Sequence, residues 1–167
     1  MAEDLGSVTP AVRRLRDDFG LPGMHLLHNA FHEDDSPDLP HNLPVHSVLY
    51  TGTHDNDTTS GWWRRLSPEA RRRVEDLTGG IAESPSASLV SLALAARSIA
   101  AIIPMQDLLG LGPGTRMNTP GVPEGNWRWR LGPGMLRKRD AARLRRLART
   151  TGRLGGRGAD REDRNDR

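Results

Sequence analysis

Between Tyr50 and Thr59 the sequence reads Tyr-Thr-Gly-Thr-His-Asp-Asn-Asp-Thr-Thr, an imidazole and two carboxylates set among hydroxyls and one glycine. Side chains of these types move protons and hydrogen-bond polar ligands. A short apolar lead-in, Val48, Leu49 and Tyr50, runs into the cluster, as a strand buried on both faces does where it leaves a parallel sheet. Ligands collect beyond the carboxyl ends of such strands. Asp57, Thr58 and Thr59 serve equally well as a polar turn capping a following helix. A cap alone has no need of the His54-Asp55-Asn56 run, so His54 and Asp55 are the first candidates for chemistry. Metal chemistry is not expected. His41, His46 and His54 follow no helical or finger-type ligand spacing, and the chain has no cysteine.

The elements that would position this cluster follow from punctuation and periodicity. Thr9-Pro10 starts a helix running to about Phe19, with Val12, Leu15 and Phe19 on its inward face and Gly20 as its stop. Gly20 to Gly23 form a turn, and Met24 to Phe31 read as a strand. The segment 32–44, with four acids and three prolines, is a loop before the strand Ser47 to Thr51. Ser67-Pro68 opens a helix that ends near Thr78-Gly79-Gly80. Ser84-Pro85 opens another, in which Leu89, Leu92, Ala93, Ala96, Ile99 and Ala100 recur at helical spacing. Ala101 to Pro104 read as a short strand. Residues 112–133 are rich in glycine and proline and too long for a passive connection, which predicts a functional loop. Leu136 to about Leu154 predicts a last helix with Leu144, Leu147, Thr151 and Leu154 inward, and disorder is expected beyond Gly155.

Strands alternating with helices predict a parallel sheet with helical crossovers, an α/β fold. Three strands do not close a barrel, which needs eight and typically ~250 residues. The sequence therefore reads as part of a larger β/α unit. Its 167 residues carry a net charge of +3. The balance is uneven: residues 137–167 hold 12 Lys or Arg against 5 Asp or Glu, leaving 12 against 16 in residues 1–136. A glycine-containing, arginine-rich end without aromatic residues reads as a solvated tail rather than a nucleic-acid surface. The start of the chain lacks a signal-peptide pattern, and no stretch is long and apolar enough to span a bilayer, so a cytoplasmic protein is expected.

Several segments, in this order, resemble the C-terminal portion of the 4-α-glucanotransferases, also called amylomaltases or disproportionating enzymes. They are Ala2-Glu3-Asp4-Leu5-Gly6, Phe19 to Met24, Leu39-Pro40-His41-Asn42, Tyr50 to Thr59 with Gly61-Trp62, Arg116 to Gly121, and Gly125 to Arg130. The resemblance covers roughly residues 2–154. It implies the last three to four units of a (β/α)8 TIM barrel over residues 1–154, an incomplete barrel, with 155–167 as a disordered Arg-rich tail.

The resemblance also implies a retaining transfer of α-1,4-glucan segments between malto-oligosaccharides, in which one carboxylate attacks the anomeric carbon and another protonates the departing oxygen. Carried over by motif, Glu3 is the general acid/base and Asp55 a further catalytic carboxylate that stays ionised. His54, Asn56 and Asn118 are substrate-binding candidates. Trp62 is another; like Trp63, Trp127 and Trp129 it offers an aromatic face that suits the apolar faces of sugar rings, although core packing is as good a use for each of them. The nucleophilic aspartate of the family, in an Arg-Ile-Asp-His type motif, is absent, and Leu27-His28-Asn29-Ala30-Phe31 departs from a Leu-Gln-Phe-Ala-Phe pattern. The expectation is a fragment inactive alone. The expected partners are a malto-oligosaccharide or α-1,4-glucan and the missing N-terminal half of the same enzyme, with no cofactor, no metal, no membrane and no nucleic acid. The alternative is a non-catalytic remnant that binds glucan or another partner.

Overall fold

The structure, a computed structural model, describes residues 1–81 and 83–154. The predicted disorder of 155–167 lies outside the described residues. The chain divides into two compact units, Met1–Arg130 and Leu131–Arg167.

The first unit is built on a three-stranded sheet. Strands β1 (Gly23–Leu26), β2 (Ser47–Tyr50) and β3 (Ala100–Ile102) lie side by side in that order. Both pairings are parallel, with Met24 opposite Val48 and Val48 opposite Ala100, so all three strands end together at Leu26, Tyr50 and Ile102. The parallel α/β expectation holds at this level. Helix α1 (Pro10–Asp18) precedes β1, with the Thr9 hydroxyl accepting from Val12 N. Between β2 and β3 lie α2 (Thr59–Arg65), α3 (Pro68–Thr78) and α4 (Pro85–Ala95), capped by Thr58, Ser67 and Ser84. The short α5 (Met105–Leu108) follows β3.

The core gathers Leu27, Phe31, Leu49, Val74, Leu89 and Ala93, with Trp62, Trp63, Leu66 and Leu77 packed against it. Leu49 comes from β2, Val74 from α3, Leu89 and Ala93 from α4, Leu27 from the 3-10 turn Leu27–Asn29 that follows β1 and Phe31 from just beyond it, while Trp62 and Trp63 lie on α2. Apolar burial of this kind contributes roughly 25 cal/mol per Å2 removed from water.

Three expectations need correction. Val12, Leu15 and Phe19 do not face inward: they are 49, 58 and 72 % exposed, and α1 buries no residue. Helix α1 is fastened through its polar side instead, by Arg16 Nη1 donating to Asp4 Oδ2 at 2.5 Å. β1 stops at Leu26 rather than Phe31, because the chain turns into the 3-10 segment that drives His28 into the interior. α4 ends at Ala95, leaving Ile99 exposed and giving Ala100 to β3. Apolar spacing does not mark where the helix stops, because a short apolar strand follows it closely in sequence.

The second unit contains α6 (Lys138–Thr150), whose Arg137 N donates to Asp140 Oδ2 at 2.8 Å. Leu144, Leu147 and Thr151 are half-buried as the spacing predicts, whereas Leu154 is exposed. Among the described residues no helix is long and apolar enough to cross a membrane.

Candidate functional site

Where the three strands end, a cleft of about 600 Å3 opens, lined among others by Leu26, Tyr50, Ile102 and Pro104. That volume is ordinary for a small-molecule site. Two carboxylates line it, Glu3 and Asp55, together with His54, Thr53 and Asn56. A smaller pocket of about 140 Å3 shares His54 and Asn56 with it and reaches Asp57, Gln106, Asp107 and Arg116.

Glu3 reaches the cleft because its segment is tied down on both sides. Ala2 N donates to Pro22 O at 3.1 Å, and Asp4 accepts from Met24 N at 2.7 Å while holding Arg16. Gly23 sits under this clamp: a side chain there would put its Cβ 2.7 Å from the Arg16 guanidinium. Glu3 itself remains exposed. Its carboxylate adds to burial, the larger cause, in pushing the Tyr50 hydroxyl above its ordinary value.

Asp55 sits on the loop between β2 and α2. Asn118 Nδ2 donates to its Oδ1 at 2.5 Å, and His54 Nε2 stands 3.3 Å from the same oxygen. Arg116 braces the arrangement from the other segment, donating through Nη2 to Asp55 O at 2.6 Å and through Nε to Asn118 O at 2.7 Å. Asn118 N donates to His54 O at 3.0 Å. Among the described residues nothing hydrogen-bonds Asp55 Oδ2.

The other candidates divide. Asn56 lines the cleft, but its carbonyl oxygen accepts from Thr53 N at 2.7 Å and Thr53 Oγ1 at 2.8 Å, a local turn that shapes the loop. Trp62 is not brought to the cleft. Its ring stacks on His28 at 4.6 Å and meets Phe31 at 5.8 Å, on the core side of α2. Trp127, 51 % exposed, presents its ring to His54 at 5.0 Å. Its φ of +61° is the left-handed region, rare for so bulky a side chain. That conformation is held by Trp127 N donating to Met117 O at 2.6 Å and by Asn126 Oδ1 accepting from Thr119 N at 2.9 Å.

Sequence reasoning missed the supports beneath the loop. Asp107 accepts from Thr51 Oγ1 at 2.6 Å and from Thr59 N at 2.7 Å, and burial pushes its carboxyl above the usual range. Asp57 pairs with Arg65 and accepts from Thr58 N at 2.8 Å. His28, buried, has Nε2 3.0 Å from Thr59 Oγ1, and burial brings it from its ordinary 6.5 down to about 3, so the ring is neutral. The polar run around Thr51 and Asp57 was visible; the pairing of Thr51 with Asp107 needs the sheet register. Among the described residues there is no group of three or more histidines and acids that could hold a metal.

Two carboxylates, an imidazole and an amide thus line one cleft at the ends of the strands of a parallel α/β sheet. A sequence model of the family described as 4-alpha-glucanotransferase matches residues 1–135, and the chain belongs to that family. It is 48 % identical over 163 residues to the 4-alpha-glucanotransferase of Thermus thermophilus, covering 92 % of this chain and 33 % of that protein. Identity is also 48 % over 139 residues to the Synechocystis enzyme, covering 81 % of this chain and 28 % of the relative. Among solved structures, the amylomaltase from Streptococcus agalactiae in complex with acarbose superimposes with a TM-score of 0.88 at 31 % identity, over 92 % of this chain and 32 % of that one. The chain therefore spans about a third of the length of these relatives.

Proposed function

We propose that the chain supplies the C-terminal part of a 4-α-glucanotransferase, the last three to four units of a (β/α)8 barrel over residues 1–154, and half of the catalytic chemistry. The observation that carries this reading is that Glu3 and Asp55, from distant segments, line one cleft at the ends of the strands. In retaining glycosyl transfer the acid/base and the nucleophile stand about 5 Å apart on either side of the scissile bond. Glu3 gives its proton to the departing glycosidic oxygen and then takes one from the acceptor hydroxyl. Asp55 Oδ2 accepts from a hydroxyl of the sugar whose ring gains positive charge, while Asn118 and His54 hold Oδ1. The substrate class is a malto-oligosaccharide or α-1,4-glucan, consistent with acarbose in the Streptococcus agalactiae amylomaltase.

The cleft lacks a third carboxylate, since Glu3 and Asp55 are the two acids that line it among the described residues. Loss of a nucleophile from a set that acts as a unit removes nearly all of its rate advantage. The purified chain alone is therefore expected to leave maltotriose unchanged. Mixed with the N-terminal two-thirds of a related enzyme it should form glucose, maltose and longer products, and Glu3→Gln or Asp55→Asn should abolish them. Products from the chain alone, or a mixture indifferent to both substitutions, would refute the reading.

A further inference from the structure

Thr51 follows β2 and Thr59 opens α2, and residues 52–58 between them carry the imidazole and carboxylate of the cleft. Both ends of this loop fasten to one side chain. Asp107, on α5 and only 2 % exposed, accepts from the Thr51 hydroxyl at 2.6 Å through Oδ2 and from the Thr59 amide at 2.7 Å through Oδ1. A buried carboxylate is tolerated where donors satisfy it, and here each oxygen has one. Other contacts also hold the loop. Gly52 lies against the His28 ring, where an added Cβ would meet Cε1 at 2.8 Å, and the same ring reaches Thr59 Oγ1. At its crest the loop meets Arg116 and Asn118.

We propose that Asp107 is a positioning residue for this cleft: by holding both ends of the loop it sets where Asp55 meets Asn118, with the Thr51 hydroxyl as its necessary donor. The role in sugar binding rests on the reading of the cleft given above, but the geometry does not, and the test reads the geometry without sugar. In 15N-labelled wild-type chain the Asn118 side-chain amide, held by Asp55 Oδ1, should resonate away from free asparagine and exchange slowly with water. Thr51→Val, close in shape but without the hydroxyl, should move that signal toward the free position and raise its exchange rate at least tenfold. Asp107→Asn should do the same, and Thr51→Ser, which keeps the hydroxyl, should restore the wild-type signal. Val74→Ala, a core truncation remote from the loop, should lower the melting temperature and leave the Asn118 signal in place. An Asn118 signal that stays put in Thr51→Val and Asp107→Asn, or that is unprotected in the wild type, overturns the proposal. Titrating the same samples with maltotriose separates the two readings: no binding beside an intact Asn118 effect removes the sugar reading and leaves the role of Asp107 standing.

Discussion

Asp55 is held on Oδ1 by Asn118 and His54, while no described residue hydrogen-bonds its Oδ2. Arg116 carries the backbone of both Asp55 and Asn118. The His54–Asp55 pair is about half exposed, so it contributes at most ~1 kcal/mol to folding. Asn118→Ala should accordingly change stability by no more than about 1 kcal/mol in urea unfolding and weaken maltotriose binding severalfold. His28 tests a different property. Its pKa falls from 6.5 to about 3 on folding, so the unfolded chain binds the extra proton between those values. Stability from this group is complete above pH 6.5 and is lost as pH falls toward 3, on the order of 5 kcal/mol across the window. Asp107 works with the opposite sign: its raised pKa favours folding below the usual carboxylate value, a contribution lost as pH rises through its folded pKa. His28→Gln should flatten the acid limb of a urea-stability profile, and an unchanged limb would show that the ring is not buried neutral.

At the scale of elements, loops carry the function and close packing carries the loops. Gly61 opens no freedom but makes room: a Cβ there would sit 2.4 Å from the Asp57 carboxyl that Arg65 holds. Gly61→Ala should cost roughly 1–3 kcal/mol, measured by chemical denaturation, because the overpacked group is a fixed ion pair rather than a mobile chain end. Trp127 stores strain in the 116–127 segment. Trp127→Asn tolerates the left-handed backbone and removes the ring, so stability should stay within about 1 kcal/mol while sugar binding weakens. The caps at Thr9, Ser67 and Ser84, each followed by proline, were legible from three or four residues and stand as read. The polar cluster after β2 was legible because its types are unusual in sequence. Asp107 was not, since a single acid in Met-Gln-Asp-Leu-Leu looks like any helix-start residue until β3 is laid beside β2. The apolar face of α1 misled for a related reason: spacing announces a face that needs a neighbour, and no described neighbour covers it.

On the scale of the whole molecule, the sheet is parallel with three strands, and α1 presents Val12, Leu15 and Phe19 to solvent. A chain spanning about a third of its relatives' length has sheet edges and apolar faces that the rest of a longer protein would cover. Phe19→Ser should leave the unfolding free energy within about 0.5 kcal/mol and raise the concentration at which the purified chain stays monomeric, as read by light scattering. If Glu3 and Asp55 face one sugar, both answer to the same ligand. An NMR titration of the intact chain with maltotriose tests it most directly. Resonances of Glu3, His54, Asp55 and Asn118 should shift together with one dissociation constant. Shifts confined to one side of the cleft, or separate constants for Glu3 and Asp55, would contradict it.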